Sequence, residues 1–232
     1  GQDTMARYQH LSKHVHAIED TSYFSHEIVG QDAVQLRLQS LLNTSRPLRL
    51  GYCGRLVSIK GVDRSLHIIK QARDGGAKLE LDVIGGGPEA TALAALATAL
   101  QLDGVVRFLG AMPYGPALLA QLAQCDALLF NPRMEETPRM IFDGYAAGLP
   151  LVAGGIAYVR ERAASDAAAW VLPRDDDAEA ARQLVKLDQD RATVAPLTQR
   201  ALAAAQHHAA DRWYARRAQW THDMVARHRQ NT

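Results

Sequence analysis

From residue 48 onward, short apolar runs alternate with longer stretches whose apolar residues recur at helical spacing. The runs at 48–53, 79–84, 105–109, 126–130, 150–153 and 169–172 read as strands, and the stretches near 62–74, 87–101, 115–124, 138–147, 156–164 and 177–187 as helices. Strands that are apolar without alternation are buried on both faces. The repeated order of strand and helix therefore predicts an α/β fold, a doubly wound, Rossmann-like parallel sheet with helices on either side. Ligands of such sheets sit beyond the carboxyl ends of the strands, where loops 54–61, 85–88, 110–113 and 131–137 fall.

The flanks differ from this pattern. Residues 1–46 are polar and His-bearing, with one helical stretch from Asp32 to Leu42 closed by Asn43-Thr44-Ser45-Arg46-Pro47. They read as a lead-in, the remnant of an interdomain region, ahead of a sheet domain at 47–188. Beyond Asp188 the chain is Ala-rich to residue 210, then basic and aromatic, with Trp213, Tyr214, Trp220 and Met224 among Arg212, Arg216, Arg217, Arg227 and Arg229. Helices at 189–232 are expected to pack their aromatic side on the domain or on a domain outside this chain. Arg and Trp on one helix also suit a membrane surface, so peripheral membrane contact stays open.

Composition narrows the classes. With 232 residues, 47% of them hydrophobic and 22% charged, the chain can bury a substantial core. A net charge of +1 gives no global reason to expect nucleic acid as a partner. The only cysteines, Cys53 and Cys125, lie in apolar runs and read as buried, reduced thiols of a cytoplasmic protein. No run approaches the ~18 apolar residues of a membrane span, and the N-terminus has no signal-peptide layout. The start at Gly1 fits an excised piece of a longer protein. His14 and His16, two apart, would face different sides of a helix, and His207-His208 reads as surface helix, so no metal site is expected.

The richest stretch is NPRMEETPRMIFDGYAAGLP, from Asn131 to Pro150. It reads as a strand end, an acidic loop and a helix start, with Thr137 as cap, Pro138 in the first turn and Gly148 behind the helix. Glu135 and Glu136 would then lie beside unpaired helix amides, where an anion and hydroxyl groups are both recognised. Asp143 follows Glu135 by eight residues, about 12 Å along a helix. A solvated helix start with an acidic cap fits the same residues.

Two other loops carry chemistry. In GRLVSIKG, Gly54–Gly61, the cations Arg55 and Lys60 can face a shared anion such as a diphosphate. In IGGGPEA, Ile84–Ala90, the residues Gly85, Gly87 and Ala90 fit the dinucleotide fingerprint G-x-G-x-x-A, and Gly86 and Gly87 could lie against a nucleotide. The next strand offers Arg107 where that fingerprint wants an acid, which weakens an NAD or flavin reading and leaves an NADP-binding oxidoreductase as an alternative.

Together these segments resemble the C-terminal, donor-binding half of the GT-B glycosyltransferases of the large retaining group 1, or family 4, over residues 48–187. The matching segments are GRLVSIKGVD, GGGPE, VVRFLGAMP and the spaced set Glu135, Asp143, Gly148 and Pro150. The resemblance implies that Arg55 and Lys60 hold the diphosphate of a nucleotide sugar, UDP- or GDP-linked, and stabilise its departure. It further implies that Glu135 binds hydroxyls of the transferred hexose, with Glu136 and Thr137 amides nearby. Asp143 would bind the ribose, and the backbone around Arg107 the base. No cofactor or metal is implied, and the acceptor, a glycan or lipid-linked glycan, would be bound by an N-terminal domain that 46 residues cannot make. The chain alone is then expected to be nearly inactive, and docking at the inner membrane face would follow from a lipid-linked acceptor.

Three features depart from the family pattern. Asp143 replaces Glu and is one methylene shorter, Glu136-Thr137-Pro138 replaces a Gly-aromatic-Gly or Pro run, and Arg139 adds a cation. These departures also fit a catalytically inactive nucleotide-binding module of the same fold.

Overall fold

The six apolar runs become parallel strands β1 Leu48–Cys53, β2 Leu79–Ile84, β3 Val106–Gly110, β4 Ala127–Phe130, β5 Leu151–Gly154 and β6 Ala169–Leu172, in one sheet of order β3-β2-β1-β4-β5-β6. This computed structural model describes residues 2–11, 15–19 and 21–230. His14 of the His14 and His16 pair lies outside them. Helices are α1 Gln2–Tyr8, α2 Gln31–Leu41, α3 Val62–Asp74, α4 Ala90–Ala99, α5 Pro116–Leu122, α6 Met140–Ala146, α7 Ala157–Asp166, α8 Asp177–Gln189, α9 Val194–His208 and α10 Ala210–Gln230.

Strand order reverses between β1 and β4, which are hydrogen-bonded neighbours in register Leu50 to Ala127. Right-handed crossovers then send α3, α4 and α8 to one side, where they pack together, and α5, α6, α7 and α9 to the other. Every residue of β4 and β5 is buried. The amphipathic helix α3 supplies Val62, Leu66, Ile69 and Ala72 to the core beneath it. Among the described residues, no helix is long and apolar enough to cross a membrane.

Two helices start later than their periodicity implies. Helix α4 begins at Ala90 and not at 87, because Gly86 and Glu89 are bonded sideways to the loop after β1, through Leu56 N–H to Gly86 O at 2.9 Å and Glu89 N–H to Leu56 O at 3.2 Å. Helix α6 begins at Met140 with Arg139 as its cap residue, so Thr137 is not the cap and Pro138 is not the first helical residue. Among the described residues, the amide that reaches the Pro138 carbonyl is that of Ile141, at 3.4 Å.

The lead-in is not loose. Tyr23 is fully buried and its phenol donates to Ala205 O at 2.8 Å, while Thr21 Oγ1 donates to His208 O at 2.7 Å. His16 stacks on Trp220 with ring centroids 4.0 Å apart, so part of the aromatic side of α10 packs on the lead-in. A second tie is Arg191, 2% exposed, which donates to Asp188 at 2.5 Å, Arg46 O at 2.8 Å and Asn43 O at 3.1 Å. Asp188 in turn accepts from Lys78 N–H at 2.8 Å. Removing one member of such a buried set leaves an uncompensated charge. Arg191→Ala is therefore expected to cost about 3 kcal/mol, read from the denaturant midpoint, with Arg191→Lys in between.

Candidate functional site

The turn after β1 is shaped by Tyr52, which is 2% exposed and whose phenol donates to Arg55 O at 3.0 Å. Arg55 is thereby presented at the rim, exposed, with no side-chain partner among the described residues. A short 3-10 turn, Ser58–Lys60, follows and ends at Gly61 in the left-handed region, φ 63°. A Cβ on Gly61 would stand 2.0 Å from Asn131 O, so only glycine allows this loop to lie against the start of the β4 loop. Arg133 N–H donates to Ile59 O at 2.9 Å along the same seam.

That seam brings Lys60 onto Glu136 as a half-buried ion pair, and the ammonium lies 6.0 Å from the Phe130 ring centroid. Glu135 turns the other way. One of its oxygens pairs with Arg174, in the loop after β6, and the other accepts from Ala157 N–H at 2.8 Å, at the start of α7. Cations on either side thus draw the two adjacent glutamates apart. Residues 135–138 are not helical, so Glu135 and Asp143 are not joined by eight residues of helix. Thr137 is exposed without a side-chain hydrogen bond.

Asp143 sits on α6 among Met140, Ile141, Phe142 and Tyr145, all buried. Burial pushes its carboxyl up to about 6, only partly offset by Arg139. Its charge in turn helps raise the Cys53 thiol, at the end of β1, and the Tyr114 phenol, in the loop after β3, both lifted mainly by burial. Both cysteines are free; Cys125 is buried, whereas Cys53 is only partly so.

Arg107 does not reach the carboxyl edge of the sheet. It pairs in register with Asp82 in the middle of β2 and β3, and its guanidinium donates to both carboxylate oxygens of that fully buried residue, at 2.6 and 2.7 Å. The phosphate contact of an NADP site therefore cannot be assigned to its guanidinium, whereas the base contact expected of the backbone around it does not involve this side chain. The glycine loop also divides. A Cβ on Gly85 would be 1.8 Å from Gly54 O and one on Gly87 2.3 Å from Leu56 O, so these two are needed by the packing of one loop on another. At Gly86 the nearest atom is Ala111 Cβ at 3.5 Å, leaving its face open.

Arg174 had no signal in the apolar pattern, although Pro173-Arg174-Asp175-Asp176 follows a strand at the carboxyl edge of the sheet. His208, read as surface helix, is 4% exposed and lies between Glu19, 2.6 Å from Nδ1, and Asp166, 3.3 Å from Nε2. Among the described residues, no three His, Cys, Asp or Glu side chains come together to hold a metal ion.

A doubly wound parallel sheet with these loops along one edge defines a Rossmann-like domain of the GT-B type. The chain belongs to the glycosyl transferases group 1, whose sequence profile matches residues 47–190. The amylovoran biosynthesis glycosyltransferase AmsK of Erwinia amylovora is 26% identical over 176 residues, 73% of this chain and 42% of that protein. Among solved structures, Anabaena HepE in complex with UDP-glucose aligns with a TM-score of 0.69 and 18% identity over 90% of this chain and 57% of its own. Sucrose-phosphate synthase from Thermosynechococcus elongatus aligns with a TM-score of 0.74 and 15% identity, over 95% of this chain and 56% of its own. The chain thus spans only about half the length of these relatives. Family membership removes the oxidoreductase alternative.

Two consequences can be measured. Gly87→Ala should destabilise the protein by about 2 kcal/mol in denaturant unfolding, whereas Gly86→Ala should stay within about 0.5 kcal/mol. The Asp143 carboxyl is raised from its ordinary 3.8 to about 6, so the folded state binds its proton more tightly than the unfolded chain does. The resulting stabilisation is fully present below about pH 4 and is lost as pH rises through about 6. Asp143→Asn should accordingly raise stability at pH 7.5 by about 2 kcal/mol and leave it unchanged near pH 4.

Proposed function

We propose that this chain is the donor-binding half of a retaining glycosyltransferase that moves a hexose from a nucleoside diphosphate sugar to a glycan or lipid-linked acceptor. The observation that carries the reading is the meeting of Lys60, in the loop that also carries Arg55, with the acidic loop after β4, at the point where strand order reverses. Group 1 membership supports the reaction class, and the relative HepE is in complex with UDP-glucose.

In this reading Arg55 and Lys60 neutralise the diphosphate and the charge that grows on it as the bond to the sugar breaks. Glu135 accepts hydrogen bonds from sugar hydroxyls, and Asp143 from the ribose. The open face of Gly86 and the backbone that runs from Arg107 into the loop Gly110 to Tyr114, rather than the Arg107 side chain, take the base. The acceptor oxygen forms its bond on the face that the diphosphate leaves, and its proton passes to the departing phosphate oxygen. Fixed cations supply the stabilisation without a metal, and the acceptor is held by a part of the protein outside these residues.

Glu136 is the departure with a chemical consequence. Its carboxylate already neutralises Lys60, so a diphosphate must displace it. This same pair is what favours the second reading, an inactive nucleotide-binding module; consumption of a nucleotide sugar by the full-length protein with acceptor would eliminate that reading.

A thermal-shift panel of UDP, GDP and ADP tests donor binding. At least one is expected to raise the melting temperature, with the shift unchanged by EDTA and abolished in Arg55→Ala/Lys60→Ala. Glu136→Gln, which frees Lys60, should tighten binding about threefold. Binding should also weaken below about pH 6, as Asp143 takes up its proton. Stabilisation by none of the three would refute the assignment.

A further inference from the structure

The loop between β6 and α8 meets the acidic loop after β4 through Arg174. Arg174 is the ion-pair partner of Glu135, the acid read above as binding the transferred sugar. The two come from strands separated by β5 in the sheet, β4 and β6, so their meeting is a property of the fold and not of local sequence.

The turn that carries Arg174 is held at both ends. Arg64 on α3, its side chain only 10% exposed, donates through Nε to Asp177 at 2.5 Å and through Nη2 to Pro173 O at 3.5 Å. Asp176 caps α8 by accepting from Glu179 N–H at 2.8 Å. Position 174 is the free corner of a fastened turn.

At the acid, the arginine takes one oxygen and the Ala157 amide the other, at 2.8 Å. Two donors on opposite oxygens fix the plane of a carboxylate. Each oxygen still has a lone pair for a hydroxyl, because an ionised carboxylate has about four acceptor sites. The Glu135 side chain is 51% exposed and that of Arg174 30%, so the pair adds little to folding stability. Its effect should appear on a bound sugar.

We infer that Arg174 is a positioning residue that orients the Glu135 carboxylate toward the sugar of the donor. It sets how much affinity the sugar adds beyond the nucleotide. The inference rests on the donor-site reading, and its test separates the two.

Isothermal titration of the 232-residue chain with UDP, GDP, ADP and their glucose conjugates provides the comparison. For the nucleotide that binds, Arg174→Ala should leave the affinity of the diphosphate within about twofold and weaken that of the glucose conjugate about fivefold, with an unchanged melting temperature. Arg174→Lys should restore part of the loss, as it keeps the charge but not the planar fork. Added to Glu135→Ala, Arg174→Ala should change neither affinity, since the partner it acts through is gone. Equal weakening of nucleotide and conjugate, or an unaltered conjugate, would overturn the role of Arg174 while leaving donor binding intact. A wild-type chain that binds none of the six ligands would overturn the donor reading itself, and this inference with it.

Discussion

The site depends on one close approach, that of the Gly61 backbone to the carbonyl of Asn131. Strands β1 and β4 are distant in sequence and adjacent in the sheet, so the loops leaving their carboxyl ends must either collide or interlock. They interlock because residue 61 has no side chain and adopts φ 63°, and because Arg133 N–H closes the seam on Ile59 O at 2.9 Å. Lys60 is thereby pressed against the β4 loop. Any other residue at 61 would move Asn131 or straighten the turn, and Lys60 would lose its register with the glutamates.

Around that seam, charges are largely paired within the protein. Lys60 meets Glu136, Arg174 meets Glu135, Arg133 meets Asp63 and Arg64 meets Asp177. A site built in this way is fixed before a ligand arrives, and binding becomes an exchange of partners whose net gain is smaller than a free cation would give. Asp143 is the contrast. It is half-buried beside apolar groups, Arg139 opposes the shift only in part, and its ionised form is costly to the fold. A group kept at a cost to stability is the kind of group that ligand hydroxyls would satisfy.

The strands were legible to within a residue because a parallel sheet with both faces covered leaves uninterrupted apolar runs, as in β4 and β5. The edge on which ligand loops gather followed from that pattern too. Side-chain direction did not. Arg107 appears beside an ordinary strand end in sequence, yet its partner is Asp82, a charge hidden inside an otherwise apolar run and found only once β2 and β3 are in register. The helix before Gly148 looked longer than it is. Thr137-Pro138 carries a capping signal, but Glu135 and Glu136 are pulled apart by cations from two other loops, a tertiary effect that overrides the local one. Glycines 85 and 87 match a nucleotide fingerprint for a different reason, the fit of one loop against the next.

The flanking segments bear on the same site through α7. Its first amide, that of Ala157, binds Glu135. Its last turn carries Arg162 and Asp166, which close a buried cluster with Glu19 of the lead-in and His208 of α9: Arg162 lies 2.6 Å from Glu19, and His208 lies 3.3 Å from Asp166. Burial alone would lower the His208 pKa, yet the two carboxylates outweigh it and raise the value, so the cluster favours the protonated ring. One rigid helix thus has its carboxyl end fastened to the lead-in and the C-terminal helix pair, and its amino end on the acid at the site. The position of α7, and with it the place where the amide meets Glu135, thus depends on β6, on which the helix packs, and on flanking segments that contribute no residue to the sheet.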